Sequence, residues 1–171
     1  MARLIASNKA NTVTSTANGA NLVDSTYPVA LQGGVAAQRT NVNEVYIGGQ
    51  SGASSIQIMC LGRDTQVATG AMTKDATLNV ASIDASALEV SATPAVVFNL
   101  AATNKPQRST TANLLCLSLN LFGGIVRWVA APGFEISMVG VTQPLGELSL
   151  SAFTGGTAGG VLGAHVMFET F

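Results

Sequence analysis

Apolar and polar residues alternate with period two along much of this chain. In "SSIQIMCL", Ile56, Ile58 and Cys60 fall on one face, with Gln57 and Met59 on the other. In "NLLCLSLNLF", Leu115, Leu117, Leu119 and Leu121 share a face, and Cys116, Ser118 and Asn120 take the opposite one. "FEISMVGV" and "GAHVMFETF" follow the same rule. Successive side chains of a strand point to opposite sides, so this pattern predicts strands with one buried face. Further strands are predicted over 43–47, 66–71, 76–81, 95–100, 125–131 and 147–152.

Turn-forming clusters separate these segments: "LQGG", "GGQSGAS", "LGRDT", "NKPQRS", "FGG", "APG", "TQPLG" and "TGGTAGG". Strands punctuated by turns every 8–12 residues, with few helical patterns, predict an all-β antiparallel sandwich or barrel. One short helical turn is expected in "SIDASALEV", capped by Ser82 or Asp84. Residues 1–35 are rich in Asn, Thr, Ser and Ala and show little periodicity. They are expected to form an N-terminal arm or extended segment, and residues 36–171 a single sandwich domain.

Composition sharpens this picture. Of the 171 residues, 47% are hydrophobic but only 10% are charged, against about 25% in ordinary globular domains. A chain with so few charges and a net charge of −1 has little self-repulsion to keep copies apart. It is expected to share surface with other chains. Its eight basic residues are scattered and balanced by nine acids, whereas binding nucleic acid requires clustered cations. No nucleic-acid partner is expected.

The residues that could carry chemistry are sparse. His165 is the only histidine, so any Ser-His or Cys-His mechanism would have to pass through it. It lies in a strand-like run and is expected to be structural. Two distant cysteines and one histidine do not make a zinc set, and no calcium-loop pattern joins the acids. Cys60 and Cys116 each sit in a predicted strand and are expected as buried free thiols rather than a disulfide. The glycine-rich "GGTAGGVLGAH" lacks the ending of a phosphate loop. Residues 148–168 carry no Asp, Glu, Lys or Arg, but their glycines and flanking alternation predict a loop between strands, not a membrane helix. Neither metal, cofactor nor membrane is expected.

The stretch "FGGIVRWVAAPGFEI", 122–136, holds the only Trp. Alternation puts Trp128 with Val126 on one face and Arg127 with Ile125 and Val129 on the other. Trp128 is expected to face the core. Arg127 is expected to face outward, either paired with a carboxylate of a neighbour or solvated. "APGF" fits a type II turn with Pro132 second and Gly133 third, so the segment is read as a hairpin or a sheet-crossing turn.

This stretch, followed by "GELSLSAFTGGTAGGVLGAHVMFE", resembles the carboxy-terminal part of capsid decoration (cement) proteins of tailed bacteriophages. The resemblance spans roughly residues 115–171. The Arg-Trp strand, the Ala-Pro-Gly turn and the Glu-Leu-Ser-Leu-Ser strand carry it. It implies a β-sandwich of jelly-roll type, usually trimeric, bound outside an icosahedral shell in the virion, with no catalytic residues to carry over. The expected function is that of a non-enzymatic virion protein, made in the host cytoplasm, that oligomerises and binds major capsid subunits. Arg127, Trp128, Arg3, Lys9 and Tyr46 are the expected interface residues. Competing readings are a single jelly-roll major capsid protein, a sugar-binding or sugar-cleaving tail protein, and a secreted adhesin-like module.

Overall fold

The structure, a computed structural model, describes residues 2–13, 29–32, 37–66, 79–83, 107–140, 146–153 and 160–171. Ten strands are present among these residues: β1 (Ala2–Val13), β2 (Val29–Gln32), β3 (Arg39–Gly49), β4 (Ile56–Gln66), β5 (Asn79–Ser82), β6 (Gln107–Asn120), β7 (Ile125–Val129), β8 (Ile136–Val139), β9 (Glu147–Phe153) and β10 (Gly160–Thr170). They form two antiparallel sheets packed as a β-sandwich. The first has the order β5-β1-β10-β3-β7, with β8 also paired to β3; the second has the order β2-β9-β4-β6.

The pairings are nested along the chain. β4 pairs with β6, β3 with β7, β2 with β9 and β1 with β10, so the chain runs as one long antiparallel ribbon whose successive pieces alternate between the sheets. Residues 2–13 and 29–32, within the segment expected to be an arm, are strands of the two sheets themselves. Of the strands expected from alternation, 95–100 and most of 66–71 lie outside the described residues, as do 84–90 of the expected helical turn. Ser82, one of its two expected caps, instead ends β5.

The core lies between the sheets. Leu4, Ala6, Val45, Ile47, Leu162, Ala164, Val166 and Phe168 come from the first sheet, and Met59, Leu61, Leu119, Leu148 and Leu150 from the second. The leucine face of β6 points inward as the alternation predicts. On β4 the inward face is Gln57, Met59 and Leu61, while Ile56 is 58% exposed. Every residue of β9 is buried on both faces. There Ser149 Oγ donates to the fully buried Asp64 Oδ1 at 2.8 Å. That contact lies within the second sheet; a polar tie between the sheets is made by the Arg63 guanidinium on β4, which donates to the Ser137 carbonyl on β8 at 2.7 Å.

β6 crosses to β7 at Leu121, which is fully buried. A Cβ on Gly49 would lie 2.4 Å from the Leu121 Cα, and one on Gly160 would lie 2.2 Å from its Cδ1. Asn120 latches the corner: its Oδ1 accepts the Ser55 and Phe122 amides, and its Nδ2 donates to Ser54 Oγ.

Two expectations are corrected here. The segment 122–139 neither turns back nor crosses sheets after Val129. Val129 lies opposite Glu44 and Ile136 opposite Val42, so β7 and β8 run in the same direction along one edge of β3. The intervening residues bulge out from that edge. The turn itself forms as predicted: the Phe134 amide donates to the Ala131 carbonyl at 2.9 Å, and Gly133 has φ of 86°. The free thiols are replaced by a disulfide, Cys60–Cys116. The register of β4 on β6 sets the two residues directly opposite each other, with Cα atoms 4.2 Å apart; spacing along the sequence carries no sign of that register.

The disulfide closes a loop spanning 56 residues and ties the edge strand β6 to its neighbour. A loop of that length removes about 4 kcal/mol of chain entropy from the unfolded state. The denatured, unreduced protein should therefore take up no alkylating label, as read by intact mass. Cys60→Ser/Cys116→Ser should melt well below the wild type.

Candidate functional site

Strand alternation gives the first sheet an outer face of sparse polar residues among apolar ones. Ser7 on β1 lies opposite His165 on β10, His165 opposite Tyr46 on β3, and Tyr46 opposite Arg127 on β7. These four form one row across four strands. In the next row Gly163 faces Gly48, and Gly48 faces Ile125. Two adjacent glycines leave the backbone bare there. A groove of about 540 Å³ results, lined by Ile5, Tyr46, Gly48, Ile125, Gly163 and His165 among others.

Arg127 is fixed from two sides. Its Nε donates to Glu44 Oε1, and its guanidinium lies 5.2 Å from the centre of the Tyr46 ring, within reach of a cation–π attraction. The hydrogen bond from Arg127 is the main cause that holds the Glu44 carboxyl below the usual carboxylate range, with a further lowering from the Tyr46 hydroxyl. The same Glu44 contact raises the Tyr46 pKa. Arg127 thus has a carboxylate partner within its own chain, Glu44 on the adjacent strand β3. Trp128 points the other way, packed half-buried against the core, as its alternation with Arg127 predicts.

Of the other expected interface residues, Arg3 is on the same outer face and pairs with Glu169 at 2.9 Å, its own side chain 67% exposed. Lys9 belongs to β1, between Asn8 and Asn11 where the register against β10 shifts; its side chain lies outside the described residues. Tyr46 and Arg127 are brought together; Trp128 is separated from them by the thickness of the sheet. The groove and Glu44 escape a sequence reading because they are built from four strands far apart in the chain. No group of three or more His, Cys, Asp or Glu residues that could hold a metal occurs among the described residues. No helix among them is long and apolar enough to cross a membrane.

The surroundings of β7 and β8 are unusually apolar for a surface. Phe122, Ile125, Val129, Phe134 and Val139 are all exposed, Ile125 at 73% and Phe134 at 77%.

Arg127→Ala and Trp128→Ala should separate in thermal melting. Truncating a half-buried Trp at the core should lower stability by about 3 kcal/mol. Removing Arg127, which is more than half exposed, should leave melting near neutral pH almost unchanged, since surface ion pairs contribute little. The same variant should raise the Glu44 titration, followed by carbon NMR of its carboxyl, because the largest cause of its lowering is removed. Because pairing lowers the Glu44 pKa in the folded state, its small stabilisation is present above the unfolded carboxylate value. It is lost as acid takes the pH down through the folded value. No family model matches the chain, and no curated protein matches it in sequence.

Proposed function

We propose that the chain is a non-enzymatic structural protein of a tailed-phage virion, a decoration or cement protein that assembles as a homo-oligomer, a trimer, on the outer capsid surface and binds major capsid subunits. One observation carries this reading. Five of the nine large hydrophobic side chains exposed among the described residues fall within 122–139, inside the span of roughly 115–171 that resembles such proteins. Contiguous exposed apolar surface on a soluble chain marks a contact with another macromolecule. The scarcity of charge supports it, since neither solubility as a monomer nor long-range repulsion is provided for.

The nested strand order supports a jelly roll. With β5 and β8 set aside, the sheets read 1-10-3-7 and 2-9-4-6, the order of one antiparallel ribbon rolled into two facing sheets. Many modest contacts, repeated over a closed shell, hold together by avidity rather than by one tight site. That mechanism needs neither cofactor nor reactive group.

Purified protein should run as an oligomer by light scattering. It should also co-sediment with phage heads lacking this chain, saturating at a fixed number of copies per head. Protein that stays in the supernatant at all concentrations would defeat the reading.

A further inference from the structure

The outer edge of the first sheet carries both a projecting aromatic knob and a hole. The knob is Phe134, the most exposed large hydrophobic residue among those described. It sits on a turn that is held from several sides. Pro132 restricts the backbone, Gly133 supplies the positive φ, and the Phe134 amide closes onto Ala131. Glu135 Oε1 accepts the Gly133 amide at 3.0 Å. β7 on one side and β8 on the other anchor the bulge to β3. A turn held this firmly loses little backbone freedom on binding.

The hole is the groove over Gly48 and Gly163, walled by Tyr46, His165, Ile5 and Ile125. It is ample for a phenyl ring. The cation at its margin, Arg127, is already matched by Glu44, so covering the groove strands no lone charge.

The knob cannot fill its own hole. The groove takes in the Ile125 and Arg127 rows of the sheet, the bulge begins only after Val129, and Phe134 itself stays 77% exposed. We infer that Phe134 of one copy seats in the Gly48–Gly163 groove of the next copy. This inference rests on the self-association in the functional reading above and names its contact. Each copy then gives one knob and receives one, an arrangement that saturates when a ring closes. The area agrees. An aromatic side chain buries about 150–250 Å². Phe122 and Phe134, together with Ile125, Val129 and Val139 on the same edge, expose several hundred Å², much of the roughly 800 Å² each partner contributes to a stable complex.

The test uses the full chain with two single variants and one photo-crosslinker. Phe134→Ser removes the knob at an exposed position. Gly48→Val places a branched side chain on the floor of the hole, where a Cβ meets only Ile125 Cγ1, at an ordinary 3.8 Å. Each should leave the melting curve in place and weaken self-association at least 30-fold, the scale of an interface hot spot. Light scattering across a dilution series reads that change. In mixtures of isotopically light and heavy chains, p-benzoylphenylalanine in place of Phe134 should crosslink to the groove strands of another copy. Phe134→Ser with wild-type mass at every dilution, or crosslinks landing away from the groove, would overturn the inference and leave capsid binding intact. Crosslinks to the shell protein on added heads, from a chain that is monomeric in solution, would overturn it in favour of a knob that docks on the capsid. Failure to co-sediment with heads, with the knob-dependent oligomer retained, would instead remove the decoration reading and keep the inference.

Discussion

The crossing at Leu121 governs the placement of everything along the edge of the first sheet. The chain leaves the second sheet at Asn120 and must enter the first without opening a gap between them. It does so by laying a fully buried leucine against backbone that carries no side chains, at Gly49 and Gly160. At Gly49 the obstruction would be the Leu121 backbone itself, which cannot swing aside as a side-chain tip can. The Ser51 amide on the Leu121 carbonyl and the Leu121 amide on the Ser55 carbonyl fix the depth of the crossing. Once that depth is fixed, Ile125 falls opposite Gly48 and Arg127 opposite Tyr46. The groove and the ion pair beside it are therefore consequences of a packing contact on the other side of the sheet.

A second constraint is that β3 is paired along both edges. β10 occupies one, and β7 and β8 share the other. Residues inserted between β7 and β8 have no place in the ladder and are pushed outward. That is why an apolar, proline-containing turn projects from a surface that would otherwise be flat. The charges nearby are matched, with Glu44 accepting from Arg127 and Tyr46 and Glu135 in the turn attracted to Arg39 on β3. The edge thus presents shape and apolar area rather than net charge.

Much of the fold was legible because period-two alternation reports which side chains share a face, and here it did so for β3, β4, β6, β7, β9 and β10. The opposed directions of Arg127 and Trp128 and the type II turn at Pro132-Gly133 follow from the same local rules. What alternation cannot report is pairing. The Cys60–Cys116 bond, the Arg127–Glu44 pair, 83 residues apart in sequence, and the collinear course of β7 and β8 are all facts of register between distant strands. β1 was missed for another reason. Between Ala6 and Val13 its residues are polar or small, so no apolar alternation marks them, although the strand is paired on both sides, to β5 and β10. On β4 the buried Gln57 and exposed Ile56 invert the usual assignment of the inner face, because register against Leu119 decides it.

The nested ribbon also dictates an order of events during synthesis. β4 and β6, at its closed end, can pair as soon as both have been made. β1 and β3 are made early, yet the strand that lies between them, β10, is the last of the ten along the chain. Until it arrives, β1 lacks the partner that covers one of its edges, and Leu4 and Ala6 lack the sheet that completes their burial. Topologies dominated by such distant pairings fold slowly and leave strand edges open meanwhile. A nascent chain of this kind has few charges to discourage strand-to-strand contact between copies while those edges are open.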